Sequence, residues 1–423
     1  MESPRKCTML ILHGALEAHE GGVSMKNKVQ KILSIAVASD LHAYLPSDLD
    51  PNERPPSKLS LADPEDNPTS HPFSALYDLI KKDQLTADLF LCPGDMTDKA
   101  NPQGIKYAWE KIHTAGKLLG APLTAATVGN HDLDSRGKTR AETPKELLDQ
   151  LDPPFPLPGE ALINEFWANH FTVYQGENYT LVLLDTCAKH TDKAELERGY
   201  ITKHTITKLT KKLDSAQSRQ INILLCHHHP HQHSELSLGD RDVMKNGQLL
   251  IDLLALNGNW LIIHGHKHFP KLSYAAGGAS SPVVFAAGSF SGNFGCEAES
   301  RTRNQFHLID VVHYEDKPFA LYGAVRSWYW AAGSGWLKST GGATGMPAVT
   351  GFGARLHPSE LAKLVAARMT RSKLKRWEEL CQTIPELRFQ LPQDYLLFKQ
   401  VLAKDHRLHL VEENGTPLQV GGA

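Results

Sequence analysis

The sequence predicts an α/β protein built from two sheets packed together with helices outside, followed by a small, mainly helical C-terminal unit. Three observations carry this expectation. Short β-branched or apolar segments alternate with helical patterns through the first two thirds of the 423 residues. Beyond Val283, strand-like segments follow one another with no long helix between them. After Trp336 the composition changes to a Gly-rich stretch that leads into helical patterns.

The elements are justified in order. Ile32–Ser39, Asp88–Cys92, Leu123–Val128, Thr180–Asp185, Ile221–Cys226 and Trp260–His264 are short runs of strand length. Phe73–Lys82, Gly104–Leu119, Thr202–Ala216 and Gly247–Leu256 carry helical spacing of apolar residues between them. Val283–Ala287, Gln305–His313 and Phe319–Arg326 are expected to form a second, more antiparallel sheet. Two stretches interrupt the alternation. Pro46–Pro72 is rich in Pro, Asp and Ser, and Asp134–Glu177 carries Pro153, Pro154, Pro156 and Pro158 ahead of a helix at Glu160–His170. Ser339–Gly353 is a Gly-rich linker, and Pro358–Met369, Ser372–Cys381 and Gln393–Ala403 are helical patterns ahead of a terminal hairpin around Asn414 and Gly415. The expected organisation is therefore a tail at 1–24, a catalytic domain at 25–335 with insertions near 46–72 and 134–177, and a linker and mainly helical unit at 336–423.

Composition excludes several classes. Hydrophobic residues make up 41% and charged residues 22%, which is inconsistent with disorder over most of the chain. The 45 Lys and Arg against 47 Asp and Glu leave a net charge of -2, so no global field attracts polyanions. No run of 18 apolar residues exists, so no membrane-spanning helix and no membrane partner are expected. Met1–Gly22 has Arg5, Lys6 and a short apolar stretch, Met9–Leu12, without a small-residue cleavage site. Six scattered cysteines, several inside strand-like runs, read as reduced apolar residues. Together these give the expectation of a cytoplasmic protein without disulfides.

Five short motifs stand at or just beyond the C-terminal ends of expected strands. They are Asp40-Leu41-His42, Gly94-Asp95-Met96-Thr97-Asp98, Gly129-Asn130-His131-Asp132, His227-His228-His229-Pro230 and Gly265-His266-Lys267-His268. Side chains that converge from strand ends build one site although they are distant in sequence. Carboxylates, imidazoles and an amide suit divalent first-row ions such as Mn, Fe or Zn, whereas an all-oxygen set suits Mg or Ca.

In this order the motifs resemble the calcineurin-like metallophosphoesterase superfamily, over roughly residues 31 to 314. In form they look most like its bacterial cyclic-nucleotide phosphodiesterase branch. The resemblance implies a metallophosphoesterase-type four-layer αββα sandwich with a two-metal site at the strand ends. It implies that Asp40, His42 and His268 hold one metal, that Asn130, His228 and His266 hold the other, and that Asp95 bridges them. The resemblance selects His228, because the family's usual place for this ligand is two residues before the proline, here Pro230, with His227 as the fallback. Two divalent ions (Mn, Fe or Zn) would clamp a phosphoryl group and activate a hydroxide. The resemblance makes His131 the acid that protonates the leaving oxygen, oriented by Asp98.

Departures from the family pattern limit the substrate. Protein Ser/Thr phosphatases of the superfamily carry Arg-Gly and Glu where Lys99-Ala100 and Asp132 stand here. The leading expectation is therefore a metal-dependent phosphodiesterase acting on a nucleotide-like or other small phosphoester. A nuclease is the nearest alternative, with Arg368, Arg371, Lys373, Lys375 and Arg376 beside Trp377 as the candidate nucleic-acid contacts; a solvated helix face is the plain reading of that cluster. A scaffold that binds a protein partner through residues 336–423 and keeps residual phosphoesterase activity is the third.

Overall fold

The structure, a computed structural model, describes residues 29–63, 67–133, 144–189, 198–217, 219–233, 242–277, 280–294, 302–315, 317, 320–339, 345–369 and 374–422. The expected tail at 1–24, part of the 134–177 insertion, and Arg371 and Lys373 lie outside the described residues. One sheet runs in the order β12 (Gly335–Lys338), β11 (Tyr322–Ala331), β10 (Gln305–Tyr314), β1 (Val29–Val37), β2 (Leu89–Cys92), β3 (Leu123–Ala126), with β13 (Val349–Phe352) also paired to β11. The other runs β4 (Phe171–Gln175), β5 (Tyr179–Leu184), β6 (Ile221–Leu225), β7 (Trp260–His264), β9 (Val283–Ala286), β8 (Lys271–Tyr274). β1, β2 and β3 are parallel, as are β5, β6, β7 and β9.

Strand periodicity assigns the faces. Leu181, Leu183, Ile223, Leu225, Leu261, Ile263 and Phe285 enter the large core shared with the first sheet. Their alternating neighbours Val182, Leu184, Leu224, Ile262 and Val284 enter a second core on the outer face. A fully buried Leu or Ile contributes about 1.5–3 kcal/mol, so both faces of this sheet are strongly specified.

Helices cover the outer faces. α1 (Pro72–Asp83) and α2 (Pro102–Leu118) bury Phe73, Leu76, Ile80, Ile105, Trp109 and Ile112 in the large core. Each starts with a proline behind a capping side chain: Ser74 N–H donates to His71 Nδ1 at 3.2 Å, and Gly104 N–H to Asn101 Oδ1 at 2.8 Å. α3 (Pro144–Asp149) and α4 (Glu160–Asn169) lie in the second insertion. α5 (Lys203–Ser215) and α6 (Gly247–Leu256) supply Leu209, Leu250, Ile251 and Leu254 to the outer core of the second sheet. Helix, sheet, sheet and helix thus form the four expected layers.

The antiparallel segments are placed differently from the expectation. β9 joins the second sheet, while β10 and β11 extend the first, β10 pairing antiparallel with β1 from Val29↔Tyr314 to Val37↔His307. The parallel run leaves one edge of β1 with unpaired N–H and C=O groups, and β10 satisfies them. The stretch read as a linker contributes β13, and β12 lies beyond residue 335, so the first sheet continues to Phe352.

The C-terminal unit has its own core of Leu361, Val365, Trp377, Leu380, Phe398, Leu402 and Val420. It contains α7 (Pro358–Arg368), α8 (Trp377–Thr383) and α9 (Pro392–His406) beside a small sheet of β14 (Lys375–Arg376), β16 (Thr416–Gly422) and β15 (Leu408–Glu413). The hairpin expected around Asn414 and Gly415 is present. The helix expected from Ser372 starts only at Trp377, because Lys375 and Arg376 pair with Val420 and Gln419. Those two basic residues therefore sit on a strand, not on a helix face with Arg368.

Residues 56–58 of the first insertion are seated against the loop after β9. Lys58 N–H donates to Ser291 O at 2.7 Å, Asn293 N–H to Pro56 O at 2.9 Å, and Ser57 Oγ to Leu41 O at 2.6 Å. It forms one wall beside the strand ends.

Candidate metal centre

The parallel strands of both sheets end at the same edge, and backbone bonds join their loops there. Asp40 N–H donates to Gly94 O at 3.1 Å, Gly265 N–H to His227 O at 3.1 Å, and Phe290 N–H to Ser39 O at 2.7 Å. Asp40, His42, Asp95, His266 and His268 all have φ between 50° and 70°. The left-handed region is disfavoured for residues with a Cβ, and several such residues in one place mark a site where the fold imposes side-chain direction. The motif glycines are explained by close approach. A Cβ on Gly129 would lie 2.2 Å from Asp95 N and Oδ1, and one on Gly265 would lie 2.4 Å from Asp40 Oδ2.

All nine site residues expected from the sequence meet at this edge. Ligand atoms of Asp40, His42, Asp95 and His268 lie within 4.8 Å of one another. His268 Nε2 is 3.2 Å from Asp40 Oδ1 and 3.1 Å from His42 Nε2. A second cluster contains His227, His228 and His266. Here Asn130 Oδ1 is 3.0 Å from His227 Nε2 and 3.1 Å from His266 Nδ1. Asp95 Oδ2 lies between the clusters, 3.6 Å from His42 Nε2 and 3.3 Å from His227 Nε2. Beside them, His131 Nδ1 is 2.8 Å from Asp98 Oδ1, and the His131 ring stands edge-on to His42 with centroids 4.6 Å apart.

Within the histidine triplet the three side chains differ. His227 has Nδ1 3.0 Å from the Pro93 carbonyl and turns Nε2 toward Asn130 and Asp95. His228 is fixed through Nδ1 by Thr186 Oγ1 at 2.8 Å, and its backbone N–H donates to the same hydroxyl at 3.3 Å. His229 is turned away, stacked 6.2 Å from His266.

Electrostatics follow from the burial and crowding of these groups. Burial pushes His42 down to about 4, with the neighbouring His131 adding to it. Burial would raise Asp95, but His227, His131 and His42 around it hold it well below the usual carboxylate range. Burial would lower His227, yet the Asp95 charge and hydrogen bond raise it to about 9. Burial opposes the ionised form of Asp98, and its bond to His131 nonetheless holds it below the ordinary value.

These residues fit a divalent cation. If His227 donates Nδ1–H to Pro93, its Nε2 lone pair faces two oxygen acceptors, Asn130 Oδ1 and Asp95 Oδ2. Acceptors that converge in this way need a proton or a cation between them, and the Asp95 charge that raises His227 favours positive charge at that point.

Two further side chains shape the site. Asp132, fully buried, accepts from the backbone N–H groups of Asp95 at 2.9 Å, Met96 at 2.7 Å, Thr97 at 3.1 Å and Gly129 at 2.9 Å. It ties the second motif to the third, and burial with the nearby Asp95 charge pushes it up to about 7. Asp242, outside every motif, places Oδ2 3.3 Å from His266 Nε2. Burial opposes its charge, but hydrogen bonds from His266 and Lys267 hold its carboxyl low. Sequence reading missed Asp242 because nothing in its neighbourhood has motif spacing.

The chain belongs to the calcineurin-like phosphoesterase family, whose model matches residues 33–270. No curated protein matches it. Among solved structures it is similar to a purple acid phosphatase from yellow lupin (Lupinus luteus) seeds, at 12% identity over 73% of this chain and 53% of that one, TM-score 0.43. It is also similar to the NAD nucleotidase of Haemophilus influenzae, at 14% identity over 74% of this chain and 54% of that one, TM-score 0.35. A metallophosphoesterase from Sphaerobacter thermophilus matches at 12% identity over 65% of this chain and 82% of that one, TM-score 0.25. The chain spans about half the length of the first two.

Proposed function

We propose that the protein is a metal-dependent phosphoester hydrolase, and that its substrate is a small, nucleotide-like phosphodiester. The single observation that carries this reading is the convergence of Asp40, His42, Asp95 and His268 with His227, His228 and His266 at one strand edge. Asp40, His42 and His268 are assigned to one divalent ion, Asn130 and His266 with the His227 and His228 pair to the other, and Asp95 to both. Bound there, two ions of Mn, Fe or Zn would supply the activated hydroxide and the positive charge that phosphoester hydrolysis needs.

The remaining chemistry belongs to side chains. His131, whose side chain is 23% exposed, reaches the open side of the site while Asp98 holds its Nδ1. That leaves Nε2 as the proton carrier toward a leaving oxygen. Asp98 orients the ring and favours its charged form. The wall formed by residues 46–63 and the loop at 289–294, where Phe294 lies 5.9 Å from the His268 ring, borders the site on the His268 side.

No helix among the described residues is long and apolar enough to cross a membrane. Cys92, Cys187, Cys226 and Cys381 are buried free thiols, which supports a reducing, cytoplasmic setting. The test of the function is a panel of cyclic nucleotides, linear dinucleotides, single-stranded DNA and phosphomonoesters, run on Mn-loaded protein. The proposal expects turnover of nucleotide diesters; turnover confined to monoesters or to DNA would replace the substrate, and no turnover would remove the activity.

A further inference from the structure

We infer that Asp242 is a positioning residue for the second metal site, acting through His266 and held in place by Lys267. The inference rests on the two-metal reading and extends it to a residue outside the five motifs. Asp242 Oδ2 lies 3.3 Å from His266 Nε2, while His266 Nδ1 lies 3.1 Å from Asn130 Oδ1. A carboxylate facing one ring nitrogen keeps the proton on that nitrogen and leaves the lone pair on the other. Here the proton belongs on Nε2 and the lone pair on Nδ1, on the side where Asn130, His227 and Asp95 converge.

Lys267 stands between two ligand histidines and is 9% exposed. Its Nζ donates to both Asp242 oxygens at 2.6 Å. This clasp fixes the plane of the carboxylate and so the angle at which it meets the imidazole. Asp242 Oδ1 also lies 3.7 Å from Nε2 of His229, whose ring lies within 19° of parallel to that of His266 with centroids 6.2 Å apart. Without Asp242, the His266 ring would lose the carboxylate facing its Nε2, and the Lys267 ammonium beside the metal site would lose the negative charge it donates to. Both changes weaken cation binding, and groups of this kind commonly alter metal affinity by about 10–100-fold.

The test is competition between a chelating dye and the full-length protein, stripped of metal and titrated with Mn or Zn. Circular dichroism of the stripped protein checks the fold of each variant. Wild type is expected to bind two ions. Asp242→Asn, close in shape, and Asp242→Ala are each expected to weaken the second ion by about 10–100-fold and leave the first unchanged. The double variant Asp242→Ala/Lys267→Met is expected to keep most of that loss, because removing the ammonium does not restore the ring's partner. Full recovery in the double variant would show that charge alone mattered and would overturn the positioning role. Two ions bound by Asp242→Asn as tightly as by wild type would overturn the inference while leaving the metal site standing. A wild-type chain that binds no metal would overturn both.

Discussion

Replacing Asp132 with Asn should loosen the junction on which the second and third motifs hang. The buried carboxylate accepts four backbone N–H bonds, two on each oxygen: Oδ2 from Asp95 and Gly129, and Oδ1 from Met96 and Thr97. An asparagine can keep one oxygen in place, but its NH2 group then faces two N–H donors. Two buried donors lose their acceptor, at about 1–3 kcal/mol each, for a total of about 2–6 kcal/mol. With an unfolding entropy of about 2 cal/mol/K per residue over the roughly 300 residues of the two-sheet unit, this corresponds to a fall in Tm of about 3–9 °C. Asp95 N–H is one of the donors, so metal affinity should fall with stability. Differential scanning fluorimetry of stripped and Mn-loaded protein reads both effects. An Asp132→Asn variant that melts within about 1 °C of wild type and gains the same Tm on loading would refute the reasoning.

Other consequences follow from particular side chains. His131→Ala should lower kcat by about 100-fold to 10,000-fold on a diester with a poor leaving group, with metal content unchanged; an unaltered rate would remove the acid role. His307, fully buried between Ala287 O and Ser327 Oγ at 2.8 Å each, is pushed down to about 4 by burial. A histidine neutral in the fold and titrating near 6.5 when unfolded contributes stability fully present above pH 6.5 and lost as pH falls toward 4. That amounts to about 2 kcal/mol between neutral pH and pH 5, so acid denaturation should flatten over that range in His307→Gln; an unchanged slope would contradict it.

The sequence was most legible where chemistry and strand ends coincide. Each motif begins where an apolar run stops, and the short runs left little choice of register, so Asp40, Asp95, Asn130, His228 and His266 were placed at strand ends by local signals alone. The antiparallel half was less legible. β10 and β11 have the alternation of any strand, and whether they join β1 or β9 depends on which edge is open, a property of the assembled sheet. Lys375 and Arg376 read as helix because a Trp-Glu-Glu-Leu run follows, yet their backbone is drawn into pairing with β16. Asp242 and Thr186 act through contacts made across loops, for which no periodicity or spacing exists to be read. That His227 faces the cluster together with His228 also needed geometry, since both flank the strand end and only their contacts show it.

The central claim is that this strand edge holds two divalent ions. Metal content per chain, measured by mass spectrometry of the protein after loading with Mn, Fe or Zn and exhaustive dialysis, tests it most directly when wild type is compared with Asp95→Ala. The account predicts two ions per wild-type chain and at most one weakly held ion in Asp95→Ala, because Asp95 faces both clusters. Wild type with no bound ion, or Asp95→Ala retaining two, would contradict it.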